Sequence, residues 1–319
     1  RGEHGITVKL RNVKGEVFDE KTMSLPKSGE RLITNIDAEL QKKFYNALSD
    51  GLKRVASKAG AGLAINPQNG EVLALISLPS FNGGIFGRDI IATEKILKDK
   101  NQPLFNRIVS GVYAPGSTIK PLVAAAGLKE KLINPKKEIF SAGFIEIPNP
   151  YFPDKPSRFL DWKAHGWVNL YSALARSSNV YFYSIGGGFG DVSGLGIARL
   201  KKYWQEFGFG EKTGIDLAGE KQGFLPDPDS KKNSRWLLGD TYNVSIGQGD
   251  LLTTPLQLLN YIASIANKGF IYEPHIAQQS PKLLTVLPEF KEIFSEVEKG
   301  MIDAVKKPYG TAYSLNDLS

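Results

Sequence analysis

Two apolar runs separated by a tight turn restrict the possible folds of this sequence more than any other feature. The stretch GLAINPQNGEVLALISLPS holds both runs, and its centre is the Asn69-Gly70 pair, a strong signal for a hairpin turn. The pattern predicts a buried antiparallel strand pair. The surrounding segments have helical spacing of their apolar residues. The chain is therefore expected to be mixed α/β rather than all-β.

Helical patterns occupy much of the remaining sequence. The first lies in TNIDAELQKKFYNALSDGLKRVASKAG, with Asn35 or Asp37 as its N-cap. Another helix is predicted to start at Thr254-Pro255 and to end near Ala266. The other predicted helices cover residues 117–130, 169–184, 195–206 and 287–306. Two stretches lack periodicity and are expected to be loops, residues 135–168 and 217–250.

The first 33 residues differ from the rest in being polar and strand-like. ITVKLRNVKGEVFDE predicts a hairpin, which we interpret as the end of an N-terminal pedestal or linker domain, with the main domain at residues 34–319. The chain opens with Arg1 rather than Met, which indicates a fragment of a longer protein. It contains no run of 18 apolar residues that would predict a transmembrane helix, and a membrane anchor or leader upstream of Arg1 stays open.

The composition excludes several kinds of site. Cysteine is absent, which excludes disulfides, Cys-based zinc sites, iron–sulfur clusters and cysteine nucleophiles. Three histidines offer little material for a metal centre, and one of them, His275, is expected at the surface. The net charge of +7 suits an anionic substrate or surface without indicating nucleic acid. We therefore predict no metal site and no nucleic-acid partner.

The segment YAPGSTIKP places Ser117 and Lys120 at the predicted start of a helix. At this spacing both side chains project from one helix face, with Cβ atoms roughly 5–6 Å apart. A serine hydroxyl is a poor nucleophile until a base removes its proton, and a neutral lysine in a desolvated cleft can be that base. The helix N-terminus favours the neutral amine. Ser-x-x-Lys also occurs by chance at surface helix starts, so this motif alone is not decisive.

A second polar cluster lies in ARSSNVYFY, next to a strongly apolar run. Ser177 and Asn179 are two residues apart, and on a turn between helices both can point into one cleft. Ser177 can then relay a proton, and Asn179 can donate to a substrate carbonyl and contact the region of Lys120. The structural alternative is helix capping, because Ser and Asn are favoured N-cap residues.

Taken together, Ser-x-x-Lys followed by Ser-x-Asn is typical of penicillin-binding proteins and class A β-lactamases. Further segments carry the resemblance across residues 30–313. They include NGEVLALISLPSFN, DWKAHGWVNLYSALARSSNVYFYSIG, FGFGEKTGIDLAGEKQGFLP and NVSIGQGDLLTTPLQLLNYIASIANKG. The chain resembles the class B penicillin-binding proteins, and among them the elongation type.

This resemblance implies a serine transpeptidase that crosslinks peptidoglycan stem peptides through an acyl-enzyme and binds β-lactams covalently. Carried over by position, it makes Ser117 the nucleophile, Lys120 its base, Ser177 the proton relay and Asn179 the substrate-holding amide. It implies no cofactor. The implied partner is a polytopic membrane glycosyltransferase of the elongation machinery, and the implied location is the cytoplasmic membrane with the catalytic domain in the periplasm or cell exterior.

The implied fold is of the penicillin-binding-protein and serine β-lactamase type, an α/β (α+β) fold with an antiparallel sheet flanked by helices and an all-helical subdomain. The family also needs a Lys-Thr/Ser-Gly motif on a strand lining the cleft. Lys212-Thr213-Gly214 has these letters, but it lies in a glycine-punctuated stretch without strand alternation, so we do not assign it that role. The true motif and the last strands are expected beyond Ser319, and the chain alone is expected to be weakly active or inactive.

Three alternatives remain at this stage. A penicillin-binding sensor or inactive scaffold of the same fold is consistent with a missing third motif. A serine β-lactamase is less consistent, because no Glu stands in a recognisable deacylating loop. A Ser-His-Asp triad of Ser117, His165 and Asp161 is conceivable, but Lys120 already supplies a base, and a structural role for His165 is the preferred interpretation.

Overall fold

The structure is a computed structural model that describes residues 2–149, 151–231 and 234–318; the two terminal residues, Arg1 and Ser319, thus lie outside the described residues. The strands of this part of the chain are β1 (Ile6–Arg11), β2 (Val17–Ser24), β3 (Gly60–Ile65), β4 (Val72–Leu78), β5 (Ile139–Ser141), β6 (Phe144–Ile147), β7 (Ser157–Leu160), β8 (Gly166–Val168), β9 (Phe270–Tyr272) and β10 (Leu283–Val286). Its α-helices are α1 (Ala38–Arg54), α2 (Ile90–Lys98), α3 (Lys120–Lys129), α4 (Leu170–Ala175), α5 (Asn179–Gly187), α6 (Gly196–Glu206), α7 (Leu238–Ser245), α8 (Pro255–Ala266) and α9 (Lys291–Lys306). Among these residues no helix is both long enough and apolar enough to cross a membrane.

The predicted N-terminal hairpin is present as β1 and β2, which pair antiparallel. Its turn contains Gly15, whose φ of +82° lies in the left-handed region. Every residue of both strands is exposed. The assignment of residues 1–33 to a separate pedestal domain stays a prediction.

The predicted strand pair forms around Asn69-Gly70 as β3 and β4. Gly70 has a φ of +84°, and a Cβ atom there would lie 2.6 Å from the carbonyl oxygen of Glu273, so the turn requires glycine. The prediction that both strands are buried holds for β4 but not for β3. Alternate residues of β4 from Val72 to Leu78 are buried, whereas β3 is half-buried along its length. Within the described residues this sheet has two strands, and α1 and α8 pack against it.

Local sequence signals locate two helix starts correctly. Asp37, one of the two predicted candidates, caps α1 and accepts hydrogen bonds from the backbone N–H groups of Glu39 and Leu40, both at 2.9 Å. Thr254 caps α8, and Pro255 is the first residue of that helix. Each helix begins where the side chain of the cap residue accepts from free N–H groups of the first turn.

The main hydrophobic core lies between α3, α4, α5, α6, α8 and α9. The largest fully buried side chains of this core are mainly aromatic: Trp204, Tyr181, Tyr242, Tyr261, Phe182, Phe209, Phe290 and Phe294. Helix α3 is buried from Lys120 to Gly127, with α5 and α9 packed against it. The Ser-x-x-Lys motif therefore stands at the N-terminal end of a helix that the rest of the fold encloses.

The prediction of a long loop at residues 135–168 is wrong. β5 pairs with β8, and β6 pairs with β7, both antiparallel. In chain order the β6–β7 pair thus lies between the two strands of the β5–β8 pair. Strands of three or four residues are too short to show the alternation that identifies a strand in sequence. Their pairing comes from residues distant in the chain, which composition cannot predict.

Two further predictions are corrected. Residues 217–250 were expected to be a loop, but helix α7 lies within them and packs against α5. His275 was expected at the surface and is instead 1 % exposed, because its backbone pairs with Gly70 and Val72 at the end of the strand pair. In both cases tertiary packing decides the outcome.

Candidate active site

Ser117 lies in a 3-10 turn, Gly116–Ile119, that leads directly into α3. We refer to these residues as the Ser117 turn. The α-helix predicted at residue 117 therefore begins three residues later, at Lys120. The hydroxyl of Tyr261, from α8, donates to the carbonyl oxygen of Thr118 and holds the turn from its buried side. Ser117 itself is exposed, so the nucleophile candidate stands at an accessible position on a rigid support.

A second contact holds the Ser117 turn through Gly247, in the short turn that follows α7. The backbone N–H of Gly116 donates to the carbonyl oxygen of Gly247 at 2.8 Å. Gly247 has a φ of +76°. A Cβ atom there would lie 2.6 Å from the Gly116 nitrogen and closer still to its carbonyl oxygen. Only glycine permits this approach.

Replacing Gly247 with alanine is expected to displace the Ser117 turn and to slow acylation of Ser117 about 100-fold, the cost of misplacing a reacting group by about 1 Å. Gly249 gives a matched control. Its φ is also positive, +71°, but a Cβ there would meet only side-chain atoms at 3.5 Å or more. Both alanines should cost about 1–2 kcal/mol for the left-handed backbone. Equal acylation rates in folded Gly247→Ala and Gly249→Ala, measured with a fluorescent penicillin, would contradict the supporting role of Gly247.

Lys120 is the buried centre of the site, with 2 % of the residue exposed. Its Nζ donates to the carbonyl oxygen of Ser177 at 2.8 Å, to Ser177 Oγ at 3.1 Å and to Asn179 Oδ1 at 2.7 Å. The three residues predicted to work together thus meet at one nitrogen. Within the described residues no hydrogen bond joins Nζ to Ser117 Oγ, although the motif spacing suggested direct reach. In unliganded sites such contacts are often long and shorten when substrate binds.

Ser117, Lys120 and Ser177 line a common cavity of about 330 Å³. Its other walls are largely apolar, with Leu174 of α4 and Met301 of α9 among them. Asn179 contacts the Lys120 amine but is not part of the described cavity lining. The cavity is large enough for a small acyl group and places a nucleophile, an amine and a second hydroxyl around it.

Burial changes the acid–base character of Lys120. Loss of hydration lowers its pKa from the usual 10.5 to about 7, and the negative charge of Asp161 opposes part of this decrease. Near neutral pH a substantial fraction of the amine is therefore unprotonated. A neutral amine keeps two N–H bonds, which the carbonyl oxygen of Ser177 and Asn179 Oδ1 accept, the two shorter of its three contacts. Its lone pair is then free to take a proton from a hydroxyl group.

The Ser177 turn, residues 176–178, separates α4 from α5. Ser177 has a φ of +53°, unusual for a residue with a side chain. Ser178 is the helix N-cap, its Oγ accepting from the N–H of Tyr181 at 3.4 Å. The predicted capping alternative therefore applies to the middle residue alone, and the side chains on either side of it, Ser177 and Asn179, are directed to the Lys120 amine.

The Ser-His-Asp alternative does not form. His165 Nε2 lies 3.5 Å from Asp161 Oδ1, and both side chains are 0 % exposed. His165 does not line the cavity that contains Ser117. Burial lowers its pKa and favours the neutral imidazole.

Lys212-Thr213-Gly214 lies outside any strand and outside the Ser117 cavity. Thr213 donates to Glu220 Oε1 from its N–H at 2.7 Å and from its hydroxyl at 2.6 Å, an arrangement that stabilises a loop. Its rejection as the third motif agrees with this geometry. In the described ranges no three Asp, Glu or His side chains come together as metal ligands.

The family model of the penicillin-binding protein transpeptidase domain matches residues 60–318. The chain belongs to this family. It is 38 % identical over 290 residues to the peptidoglycan D,D-transpeptidase MrdA of Acinetobacter baumannii, covering 84 % of this chain and 42 % of that protein. It is 32 % identical over 330 residues to MrdA of Escherichia coli K12, covering 98 % and 49 %.

Solved structures of transpeptidase-family members share the fold. In the complex of penicillin-binding protein PBP2 with MreC from Helicobacter pylori, PBP2 superposes with a TM-score of 0.79 at 32 % identity, over 98 % of this chain and 56 % of that one. The predicted family, the predicted similarity to penicillin-binding protein 2 and the mixed α and β fold are thereby confirmed. The chain spans about half the length of the curated relatives it matches.

Proposed function

We propose that this chain carries the acyl-transfer centre of a peptidoglycan D,D-transpeptidase of the cell-elongation type. One observation carries the proposal: the Lys120 amine lines the same cavity as Ser117 and Ser177. This amine is buried, and its pKa is lowered to about 7. Family membership supplies the substrate class, a stem peptide ending in D-Ala–D-Ala. The same site accounts for covalent binding of β-lactams, which acylate a serine in place of the peptide.

In the proposed reaction the neutral Lys120 amine takes the proton of Ser117 as Oγ attacks the carbonyl carbon of the terminal D-Ala–D-Ala bond. The negative charge on the carbonyl oxygen is stabilised by backbone N–H groups, one of them from Ser117. The tetrahedral intermediate collapses, the C–N bond breaks, and D-Ala leaves with the proton that Lys120 returns through Ser177. Asn179 holds the substrate amide. An amine of a neighbouring stem peptide then attacks the ester, forms the crosslink and frees Ser117.

The proposed setting follows from the relatives. PBP2 of Helicobacter pylori has been solved with MreC, which supports an assembly of this kind for the present chain. We propose a polytopic glycosyltransferase of the elongation machinery as the partner, and the outer face of the cytoplasmic membrane as the location. The pedestal role of residues 1–33 belongs to the same proposal.

The complete gene product, incubated with a fluorescent penicillin, tests this function. A transpeptidase is expected to form a covalent adduct that persists through gel electrophoresis and is released slowly. Rapid release would indicate a β-lactamase, and absence of any adduct in the folded protein would favour the inactive scaffold. Either result would overturn the proposal.

A further inference from the structure

Asp161 is a buried carboxylate that the reaction described above does not use. It follows β7 in the chain, and its side chain is 0 % exposed. Burying a carboxylate costs free energy unless its oxygens accept hydrogen bonds. The hydrogen-bond partners of Asp161 therefore show which part of the structure it stabilises.

These partners belong mainly to the segment that carries the site. Asp161 Oδ2 accepts from Ser178 Oγ at 2.8 Å and from the backbone N–H of Val180 at 3.0 Å. A third donor to the same oxygen is Ser141 Oγ, at 3.3 Å. One carboxylate oxygen therefore holds the residues on both sides of Asn179.

Leu160, the residue before Asp161, also holds Asn179 in place. The carbonyl oxygen of Leu160 accepts from Asn179 Nδ2 at 3.3 Å and from the hydroxyl of Tyr183 at 3.2 Å. With Nδ2 fixed in this way, Asn179 Oδ1 is turned toward Lys120. The strained backbone of Ser177 lies immediately before these contacts, and such strain persists only where surrounding interactions maintain it.

We propose that Asp161 is a positioning residue for this site: it fixes the segment carrying Ser177 and Asn179 and supplies the negative charge that acts on the Lys120 amine. This inference rests on the proposed acyl-transfer role of Ser117 and Lys120. Asp161 acts through other residues and touches no reacting atom.

The effect of Asp161 on the pKa of Lys120 can be measured, because in the described part of the chain few other charged groups lie near the Lys120 amine. Among the described side chains, burial lowers the pKa of Lys120 and the charge of Asp161 raises it. The ring of Phe182 on α5 lies 5.4 Å from Nζ, and the α9 residues lining the cavity are uncharged. Lys163 and Arg176 act on His165, whose pKa they lower. Removing the Asp161 charge should thus lower the Lys120 pKa further.

Asp161→Asn in the complete gene product tests the electrostatic part. The acid limb of the rate of acylation by a fluorescent penicillin should move about one pH unit lower, the size expected for removal of a nearby opposite charge. The plateau rate should fall about tenfold, because the amide keeps one accepting oxygen and replaces the other, bonded by Trp162 or by Ser178 and Val180, with an NH2 donor. Ser178→Ala keeps the charge and removes the hydrogen bond to Asp161 together with the N-cap bond from Tyr181, so its rate should fall without a shift of the limb. A matched control is Asp216→Asn, whose carboxylate accepts two backbone N–H groups, from Ile276 and Ala277, outside the site.

A second readout does not depend on penicillin. The pH dependence of acetylation of Lys120 by acetic anhydride, followed by peptide mass spectrometry, reports the neutral fraction of this amine. Its midpoint should fall in Asp161→Asn and stay in place in Ser178→Ala and Asp216→Asn. An unchanged midpoint in Asp161→Asn would overturn the inference even if no adduct forms. Absence of labelling in the parent protein, with the midpoint shifted as expected, would refute the acyl-transfer function alone.

Discussion

Replacing Ser117 with alanine is expected to reduce covalent labelling by penicillin to background without unfolding the protein. Ser117 is exposed at the mouth of the cavity, so loss of its hydroxyl changes little in the packed structure. Ser177 Oγ remains beside Lys120, but it lies in the relay position at 3.1 Å from Nζ and is not expected to replace the nucleophile. Labelling is measured on gels and the adduct is located by peptide mass spectrometry.

The surface variant Ser80→Ala, which loses a hydroxyl that lies 3.1 Å from the hydroxyl of Tyr45, is the matched control and should label like the parent. Persistent labelling of folded Ser117→Ala, or an adduct located on Ser177 in the parent protein, would show that the nucleophile has been assigned to the wrong serine.

Replacing Lys120 with arginine is expected to slow acylation by about 10²- to 10⁴-fold, the usual contribution of a general base. Arginine keeps the positive charge and the hydrogen-bond donors for Ser177 and Asn179, but its guanidinium does not lose a proton in proteins. The substitution therefore separates proton transfer from charge. The second-order rate constant for acylation is the measurement, with thermal unfolding as a check on the fold.

Lys129→Arg is the matched control, because Lys129 closes the same helix and its Nζ lies 5.5 Å from the centre of the Phe290 ring, away from the cavity. Its acylation rate should equal that of the parent. A folded Lys120→Arg protein that is acylated at the parental rate would exclude Lys120 as the base.

Short-range chemistry explains which parts of this fold could be predicted from sequence. The turn at Gly70, the cap at Asp37 and the start of α8 at Pro255 each have a signal in residues within one turn of the chain, although Gly70 also packs against the distant Glu273. The strands β5 to β8 and helix α7 depend on distant partners, and there the predictions failed. His275 is buried for the same reason.

The same distinction between local and distant contacts applies to the candidate site. The motifs identified Ser117, Lys120, Ser177 and Asn179 as candidates, but not that the Lys120 amine would face the Ser177 turn rather than Ser117. The support from Gly247 and Asp161 was missed altogether. A glycine in a turn and an aspartate in a loop-like stretch carry no periodic signal, and their roles come from contacts made across the fold.

The pH dependence of acylation in the parent protein tests the central claim most directly, namely that a buried amine able to lose its proton near neutral pH activates Ser117. The rate constant for acylation is expected to rise with pH and to level off with a midpoint near 7, the pKa to which burial lowers Lys120. The sign follows because the protonated amine, dominant below that pH, accepts no proton. A rate that is constant between about pH 5 and pH 9, or one whose midpoint lies near the ordinary lysine pKa of 10.5, would contradict the account.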